Sequence, residues 1–411
     1  MLPKVKNKRD IYLDHAATTY VDAQVFKAMK PYCEKYFGNP SAIYHIGREA
    51  NGALNDARRE VARLIHALPD NIIFTGGGTE SDNLAIYGVA RANEKNGKHI
   101  ITTTIEHHAV LYPFEDLEKQ GFEVTYLPVD EFGLVKAKDV IKAIRPDTIL
   151  VSVMYANNEM GAVEPIAEIG KELLKYRKEK NTVFPYFHSD ACQAAGYLDM
   201  DVEKLHLDLM TVNGSKMYGP KGVGFLYARR GVKIKPLILG GGQERNMRSG
   251  TENVAGIVGL AKAFQLAQEK REKESKRVGE LSKYLWLMIQ EKITRIKLNG
   301  PELDGDRLPN NLNVTFMDVE GEALLLYLDE YGIMCSTGSA CTSTSLEPSH
   351  VLRAMGLPYE YAHGSLRFTF GHCNSKADID YLMKYLPDVV ETLREMSPVR
   401  MCESAHAKFK K

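Results

Sequence analysis

Between residues 50 and 230 the sequence alternates short, β-branched apolar runs with longer segments of helical periodicity. The runs predict strands at residues 71–75, 99–105, 148–154, 183–188, 208–213 and 223–228. The segments between them, such as residues 80–96 and 164–180, carry apolar residues three and four positions apart, which is typical of amphipathic helices. Strands separated by helices of this length predict βαβ units and a mostly parallel, buried sheet, a fold of the α/β class.

The pattern changes after residue 253. Residues 254–292 are rich in Glu, Lys and Ala with an apolar stripe, and they predict one or two long helices. Beyond them, residues 312–317 and 366–370 predict strands and residues 320–331 predict a helix. Because 411 residues are enough for two domains, we predict a large domain over residues 26–270 and a smaller α+β domain built from residues 1–25 and 271–411.

The charge balance gives no support for binding to nucleic acid or to a membrane surface, since 53 basic side chains are matched by 53 acidic ones. No stretch reaches the roughly 20 apolar residues of a membrane-spanning helix, and residues 1–10 lack the apolar region of a secretory signal. Six scattered cysteines predict reduced thiols and a cytoplasmic location. An organelle form trimmed of its transit peptide is the alternative.

A glycine-rich turn, residues 76–78, lies between a predicted strand and a predicted helix. Glycines let the backbone approach an anion closely, and the free N–H groups of a helix start favour phosphate. Thr79 adds a hydroxyl donor. The turn matches neither the Walker A sequence nor GxGxxG, so a nucleotide site lacks its fingerprint. A phosphate site and a plain glycine-rich turn remain the two interpretations of the turn.

Polar residues follow three other predicted strands, where the ligand site of such a sheet is expected. Lys216 follows an apolar run and precedes a Gly-Pro-rich turn. A lysine held there can form a Schiff base if its pKa is lowered, although most lysines are solvated surface charges. Asp190 is either a helix N-cap or a carboxylate placed opposite a pyridine nitrogen, with Gln193 three residues on. His107 can stack on a flat cofactor, although a lone histidine is usually an ordinary core or surface residue.

Cys341 lies in the small, polar, glycine-containing segment of residues 335–345. Such a composition predicts a mobile loop, in which a thiol escapes the usual burial of a free cysteine. The spacing from Cys335 to Cys341 does not match a zinc ribbon and no second Cys/His pair accompanies it, so no metal site is predicted. The Cys341 thiol is therefore a candidate nucleophile or sulfur carrier.

Taken together, these segments resemble the NifS/IscS-type cysteine desulfurases, which are fold-type I pyridoxal-phosphate (PLP) enzymes of the class V aminotransferase group. The resemblance extends from residue 12 to residue 371. It is carried by the ordered motifs FTGGGTESDNLAI, TIEHHAV, NNEMGAVEPI, HSDACQ, SKMYGPKGVG, GGGQERNMRSGTEN, PNNLNVTF, STGSACTS and SLEPSHVLRAMG. It implies a large domain with a mostly parallel seven-stranded sheet, PLP as cofactor, L-cysteine as substrate and a homodimer. It also implies that an iron–sulfur scaffold protein or a tRNA-thiolation protein accepts the sulfur.

The resemblance also implies roles for individual residues. Lys216 matches the lysine that binds PLP, Cys341 the nucleophile that forms a persulfide, and His107 the histidine that stacks on the ring and shares in proton transfer. Asn158 and Arg367 match the groups that hold the substrate carboxylate, a task that suits a guanidinium fork.

Other matched residues contact the cofactor. Asp190 and Gln193 match the residues at the pyridine nitrogen and the ring hydroxyl. The residues implied around the phosphate are Gly78, Thr79, Asn213, Ser215 and Thr251. Of these, Thr251 matches a residue that reaches the phosphate of the neighbouring subunit.

One position departs from the family pattern, which usually has a histidine directly before the PLP lysine. Here the segment reads Asn213-Gly-Ser215-Lys216, so two hydrogen-bond donors remain and the imidazole is absent. Three other functions are compatible with the sequence. They are a selenocysteine lyase or another β-eliminating enzyme, a plain aminotransferase, and a weakened desulfurase that acts mainly as a scaffold for sulfur acceptors.

Overall fold

The computed structural model describes residues 8–338 and 348–396. The strands in chain order are β1 (Ile11–Tyr12), β2 (Ile72–Thr75), β3 (His99–Thr103), β4 (Glu123–Leu127), β5 (Thr148–Ser152), β6 (Tyr186–Asp190), β7 (Leu209–Asn213), β8 (Gly224–Ala228), β9 (Ile296–Leu298), β10 (Asn311–Phe316), β11 (Ile333–Met334) and β12 (Ser365–Thr369). The largest sheet has seven strands in the order β2-β8-β7-β6-β5-β3-β4. In it only β8 runs antiparallel to its neighbours, so the predicted mostly parallel seven-stranded sheet is confirmed.

The α-helices, in chain order, are α1 (Ala23–Glu34), α2 (His45–Leu64), α3 (Gly78–Asn93), α4 (His108–Lys119), α5 (Ala137–Ala143), α6 (Ile166–Lys180), α7 (Val254–Lys292), α8 (Gly321–Glu330), α9 (His350–Ala354), α10 (Tyr359–His363) and α11 (Lys376–Met396). Residues 254–292, predicted as one or two helices, form the single 39-residue helix α7. No helix in the described residues is long and apolar enough to cross a membrane.

The six predicted strands of the large sheet are confirmed, with ends shifted by a few residues. The largest shift is in β6, which begins at Tyr186 rather than at residue 183. Pro185 has no N–H to give to a sheet ladder, so the strand cannot begin before it. The sequence analysis missed β4, an edge strand paired with β3 alone and buried fully only at Leu127.

Two apolar cores lie along α7. Its first half, including Leu260 and Phe264, packs on one face of the large sheet. Its second half, including Leu281 and Leu285, packs into a core formed by the antiparallel sheet β12-β10-β9 with α8 and α11. Ile11 and Leu13 also lie in this second core. The domain boundaries after residues 25 and 270 stay a prediction.

Candidate active site

A cavity of about 280 Å³ opens where five parallel strands of the large sheet end. The loops that follow β2, β3, β5, β6 and β7 each contribute to its wall, as expected for a sheet of this type. The predicted site residues that line it are Gly78, Thr79, His107, Asn158, Asp190, Gln193, Asn213, Lys216 and Arg367. The structure therefore brings together residues that lie up to 289 positions apart (367 − 78) in the sequence.

Lys216 enters the cavity from a short 3-10 turn that follows β7 directly. Its Nζ donates hydrogen bonds to the carbonyl oxygens of Ala16, at 2.9 Å, and Ala17, at 2.6 Å. The turn is stabilised by the Asn213 side chain, which accepts a hydrogen bond from the Ser215 amide. The amine is thus fixed at one place in the cavity by main-chain carbonyls.

The start of α3 forms one end of the cavity. Gly77 precedes it at φ 145°, a conformation that favours glycine, and a Cβ on Gly78 would lie 2.8 Å from Cys192 Sγ. The close approach leaves the free N–H groups of the helix start beside the cavity, together with Thr79 and Asn213. This end is suited to a phosphate group.

Asp190, at the end of β6, provides the buried carboxylate of the cavity. Its Oδ1 accepts a hydrogen bond from the Cys192 amide at 2.9 Å. A second carboxyl, Asp82, lies close by. Burial, and next the charge of Asp190, raise the pKa of Asp82 well above its usual range. Behind them His188 is fully buried, and burial lowers its pKa to about 4. Burial therefore favours the neutral forms of both Asp82 and His188.

Arg367 lies on β12 and also lines the cavity. Its Nη1 donates to the backbone oxygen of Asn158 at 2.8 Å, and its Nη2 donates to Asp14 Oδ1 at 2.7 Å. The Nε atom is buried and has no hydrogen-bond partner within the described structure. Arg367 lines the cavity, and a guanidinium in a cavity wall is suited to a carboxylate ligand.

His107 is the N-cap residue of α4 and also lines the cavity. Its Nδ1 accepts a hydrogen bond from the Ala109 amide at 3.0 Å. An Nδ1 that accepts in this way places the proton of the neutral ring on Nε2. The backbone thus sets both the orientation and the tautomer of the ring.

Glu106, directly before His107, is fully buried, and burial raises its pKa to about 8. Its Oε1 accepts hydrogen bonds from Thr103 Oγ1 and the Met154 amide, so it ties together two loops of the cavity wall. An acid whose pKa rises from 4.5 to about 8 on folding binds an extra proton in the folded state between these values. The free energy of unfolding must therefore fall as pH rises through this range.

We expect Glu106→Gln to remove this pH dependence, because glutamine keeps the acceptor oxygen and stays neutral. The difference in the free energy of unfolding, variant minus original protein, should rise by about 1 kcal/mol or more from about pH 5 to about pH 8. Urea denaturation at both pH values measures the difference. Glu115→Gln, on the exposed face of α4, is the matched control and should show no such trend. A gain that is equal at both pH values would contradict the prediction.

Two predicted residues within the described ranges, Ser215 and Thr251, do not line the cavity. Ser215 is buried beside it, and its backbone oxygen accepts hydrogen bonds from Thr19. Thr251 is exposed in the loop before α7. Cys341 lies outside the described residues.

The sequence analysis also missed several residues of the wall, which are Ala16, Ala17, Asp82, Met154, Ala156, Cys192 and Gly338. The sequence spacing could have indicated two of them. Asp82 lies four residues after Gly78, one turn further along the same helix, and Cys192 lies two residues after Asp190.

Comparison with known proteins identifies the family. Residues 11–382 match the family described as Aminotransferase class-V. A cysteine desulfurase IscS of Dictyoglomus turgidum is 52% identical over 96% of this chain and 98% of its own length. A second, from Methanosarcina thermophila, is 52% identical over 95% of this chain and 94% of its own. The chain belongs to the IscS-type cysteine desulfurases.

Solved structures agree with this family. A NifS-like protein has a TM-score of 0.87 and 38% identity, covering 94% of this chain and all of that chain. A structure described as SspA in complex with cysteine has a TM-score of 0.76 and 37% identity, covering 89% of this chain and 99% of that chain. Fold-type I architecture and membership of a PLP-dependent family, both implied by the sequence motifs, are confirmed.

The cavity fits the cofactor of this family. It offers an amine for covalent attachment in Lys216, a carboxylate for the pyridine nitrogen in Asp190, and a helix start at Gly78 for the phosphate. The neutral state of Asp82 is compatible with a protonated pyridine paired to Asp190 alone. The chemistry of these three groups matches the aldehyde, the pyridine nitrogen and the phosphate of PLP.

Proposed function

We propose that this chain removes sulfur from L-cysteine, releasing L-alanine and leaving the sulfur as a persulfide on Cys341. The observation that carries the proposal is that Lys216, Asp190 and Arg367 line one cavity. An amine, a carboxylate and a carboxylate-binding guanidinium are the groups that a PLP enzyme acting on an α-amino acid needs. The family relatives support L-cysteine as that amino acid.

The chain's own residues divide the work between binding and proton transfer. Bound PLP supplies the electron sink that stabilises negative charge at the substrate α-carbon. Arg367 and Asn158 hold the substrate carboxylate and so orient the α-carbon. Lys216 Nζ carries protons to and from that carbon, and His107 holds a proton on Nε2 facing the same reaction. Asp190 keeps the pyridine nitrogen protonated.

Sulfur leaves by attack of a thiolate. Cys341 Sγ forms a bond to the substrate sulfur, the bond between that sulfur and the substrate Cβ breaks, and its electron pair passes to the carbon fragment that becomes alanine. The thiolate, not the thiol, is the nucleophile in this step. Of the cysteines in the described part of the chain, Cys192 and Cys335 are unsuited to it, because burial raises the pKa of each thiol.

The proposal is tested by incubating the PLP-loaded protein with L-cysteine and a thiol reductant, without any keto acid. We expect equal amounts of L-alanine and sulfide. A requirement for a keto acid would identify an aminotransferase, and a much higher rate with selenocysteine would identify a selenocysteine lyase. A protein that binds no PLP would act as a scaffold.

We also propose that acceptor proteins take the sulfur from Cys341 in the cytoplasm, for iron–sulfur cluster assembly or tRNA thiolation. The proposal is supported by the resemblance to the IscS-type family and by the four described cysteines, which carry no disulfide. Loading the protein with ³⁵S-cysteine and then adding candidate acceptors tests it. Label that stays on this chain with every acceptor would contradict it.

We further propose a homodimer in which Thr251 completes the site of the neighbouring subunit. Its position outside this chain's own cavity supports the proposal. We expect a heterodimer of one Lys216→Ala subunit and one Thr251→Arg subunit to recover about half of the original activity. One of its two sites then contains both unaltered residues, since Thr251 acts across the interface. Copurification with two different affinity tags isolates this species.

The two corresponding homodimers serve as controls, and both should be strongly impaired. If Thr251 acted within its own chain, neither site of the heterodimer would be complete. Activity no higher than that of the Thr251→Arg homodimer would then contradict the proposal.

A further inference from the structure

The segment of residues 11–19 has no role in the reaction described so far, yet it runs along the cavity between the two cores. Its first residues form β1, which pairs with β11 of the second core. Its later residues reach the first core, where the carbonyls of Ala16 and Ala17 accept hydrogen bonds from Lys216 Nζ. Between these two ends lies Asp14, the only acidic residue of the segment.

Asp14 contacts the guanidinium of Arg367 from outside the cavity. The distance from Nη2 to Oδ1 is 2.7 Å, and Asp14 is not among the residues that line the cavity. The other terminal nitrogen, Nη1, is held by the Asn158 backbone oxygen. With both terminal nitrogens anchored, the guanidinium plane cannot rotate, and the unpaired Nε keeps a fixed direction.

The main chain at Asp14 is held by hydrogen bonds on both sides. On one side the Leu13 amide donates to the Met334 oxygen at 2.7 Å, and on the other the Thr369 amide donates to the Leu13 oxygen at 2.7 Å. The Tyr12 hydroxyl donates to the backbone oxygen of Asp14 at 2.9 Å. Asp14 thus extends from a rigid main chain, which is what a residue needs in order to position another.

The burial of Arg367 also favours a negatively charged partner. Arg367 is 2% exposed, so its guanidinium would be costly to bury without a counter-charge. Asp14 supplies that charge before any substrate enters, and it does so without occupying Nε. The guanidinium is therefore held in one orientation before a carboxylate ligand arrives.

We propose that Asp14 is the positioning residue of Arg367 and that it sets the selectivity of the site for amino acids with a free α-carboxylate. The inference rests on the proposed function for the role of Arg367. It predicts that loss of the Asp14 hydrogen bond weakens recognition of the carboxylate specifically, while the amino-group side of the site is unaffected.

The test compares binding of L-alanine with that of L-alaninamide, which lacks the carboxylate, by titrating each into the PLP-loaded protein and following its visible absorption. In Asp14→Ala, we expect the preference for L-alanine to fall by about tenfold or more, the loss of about one charge-assisted hydrogen bond. Asp14→Asn keeps an acceptor for Nη2 and should stay within about threefold of the original preference.

Two further variants separate positioning from loosening of the segment. Arg9→Ala removes the ion pair of Arg9 with Asp378, at 2.6 Å, just before β1, and should leave the preference unchanged. Asp14→Glu keeps the charge but displaces the carboxylate by one methylene. It should lower the preference, and it decides the matter if Asp14→Ala does not fold.

An unchanged preference in both Asp14→Ala and Asp14→Glu would overturn the proposal. So would an Asp14→Asn variant as weak as Asp14→Ala, because the hydrogen bond to Nη2 would then not be what maintains the preference. An original protein that does not prefer L-alanine would overturn it as well. Turnover of L-cysteine is measured separately. A protein that prefers L-alanine but releases no sulfide would refute the desulfurase function and leave the role of Asp14 standing.

Discussion

Replacing Cys341 with serine is expected to reduce sulfide release from L-cysteine by at least about 10³-fold, because a hydroxyl cannot take the place of a thiolate as sulfur acceptor. The visible absorption of bound PLP should remain, since the cofactor contacts lie on other residues. Sulfide assays and absorption spectra on the same preparation measure both quantities. Persulfide on the chain can be detected by alkylation and mass spectrometry after one turnover.

The matched control is Cys33→Ser, which changes an exposed thiol on α1. It should keep sulfide release and persulfide labelling at Cys341. If Cys341→Ser turned over at the normal rate, sulfur would have to leave by another route, and the proposed role of Cys341 would be wrong. Labelling of Cys192 in that variant would identify the route.

Replacing Lys216 with alanine is expected to have an effect of similar size, a loss of at least about 10³-fold in turnover. The variant loses the covalent attachment of PLP and the proton carrier at the α-carbon together. Borohydride treatment followed by denaturation distinguishes the two proteins. The original chain should retain PLP covalently at Lys216, and the variant should release it.

Lys221→Ala is the matched control for Lys216→Ala. Lys221 lies in the Gly-Pro turn that follows Lys216, and its Nζ donates to the backbone oxygen of Thr19. It does not line the cavity. It should keep covalent PLP after borohydride. Turnover retained in Lys216→Ala, or PLP attached to another lysine, would remove Lys216 from its proposed role.

Much of the fold could be predicted from the sequence because its central strands are buried on both faces. Such strands read as continuous apolar runs, as β5 and β7 do. The strand of the large sheet that was not predicted, β4, lies at an edge and has mixed exposure, so it lacks that signal. The antiparallel direction of β8 could not be predicted either, because the pattern of residues within a strand does not encode its direction.

The site shows a similar division. Residues at the ends of strands, such as Lys216 and Asp190, could be predicted because the sheet brings strand ends together. The contact of Asp14 with Arg367 could not, because 353 positions separate the two residues and neither the spacing nor the composition of the segment indicates that contact. The family resemblance begins at residue 12 and so includes the segment, but it does not reveal what the segment contacts.

The order of synthesis gives the N-terminal segment a further consequence. Ala16 is synthesised long before its partner, because its amide donates to the Thr369 hydroxyl, 353 positions later. Contacts of such long range close last, because the intervening chain must be made and ordered first. A nascent chain thus carries Lys216 long before it carries Arg367 or the finished wall around them. The enzyme acquires a complete site only after Arg367 has been synthesised, and chains terminated before that residue are expected to be inactive.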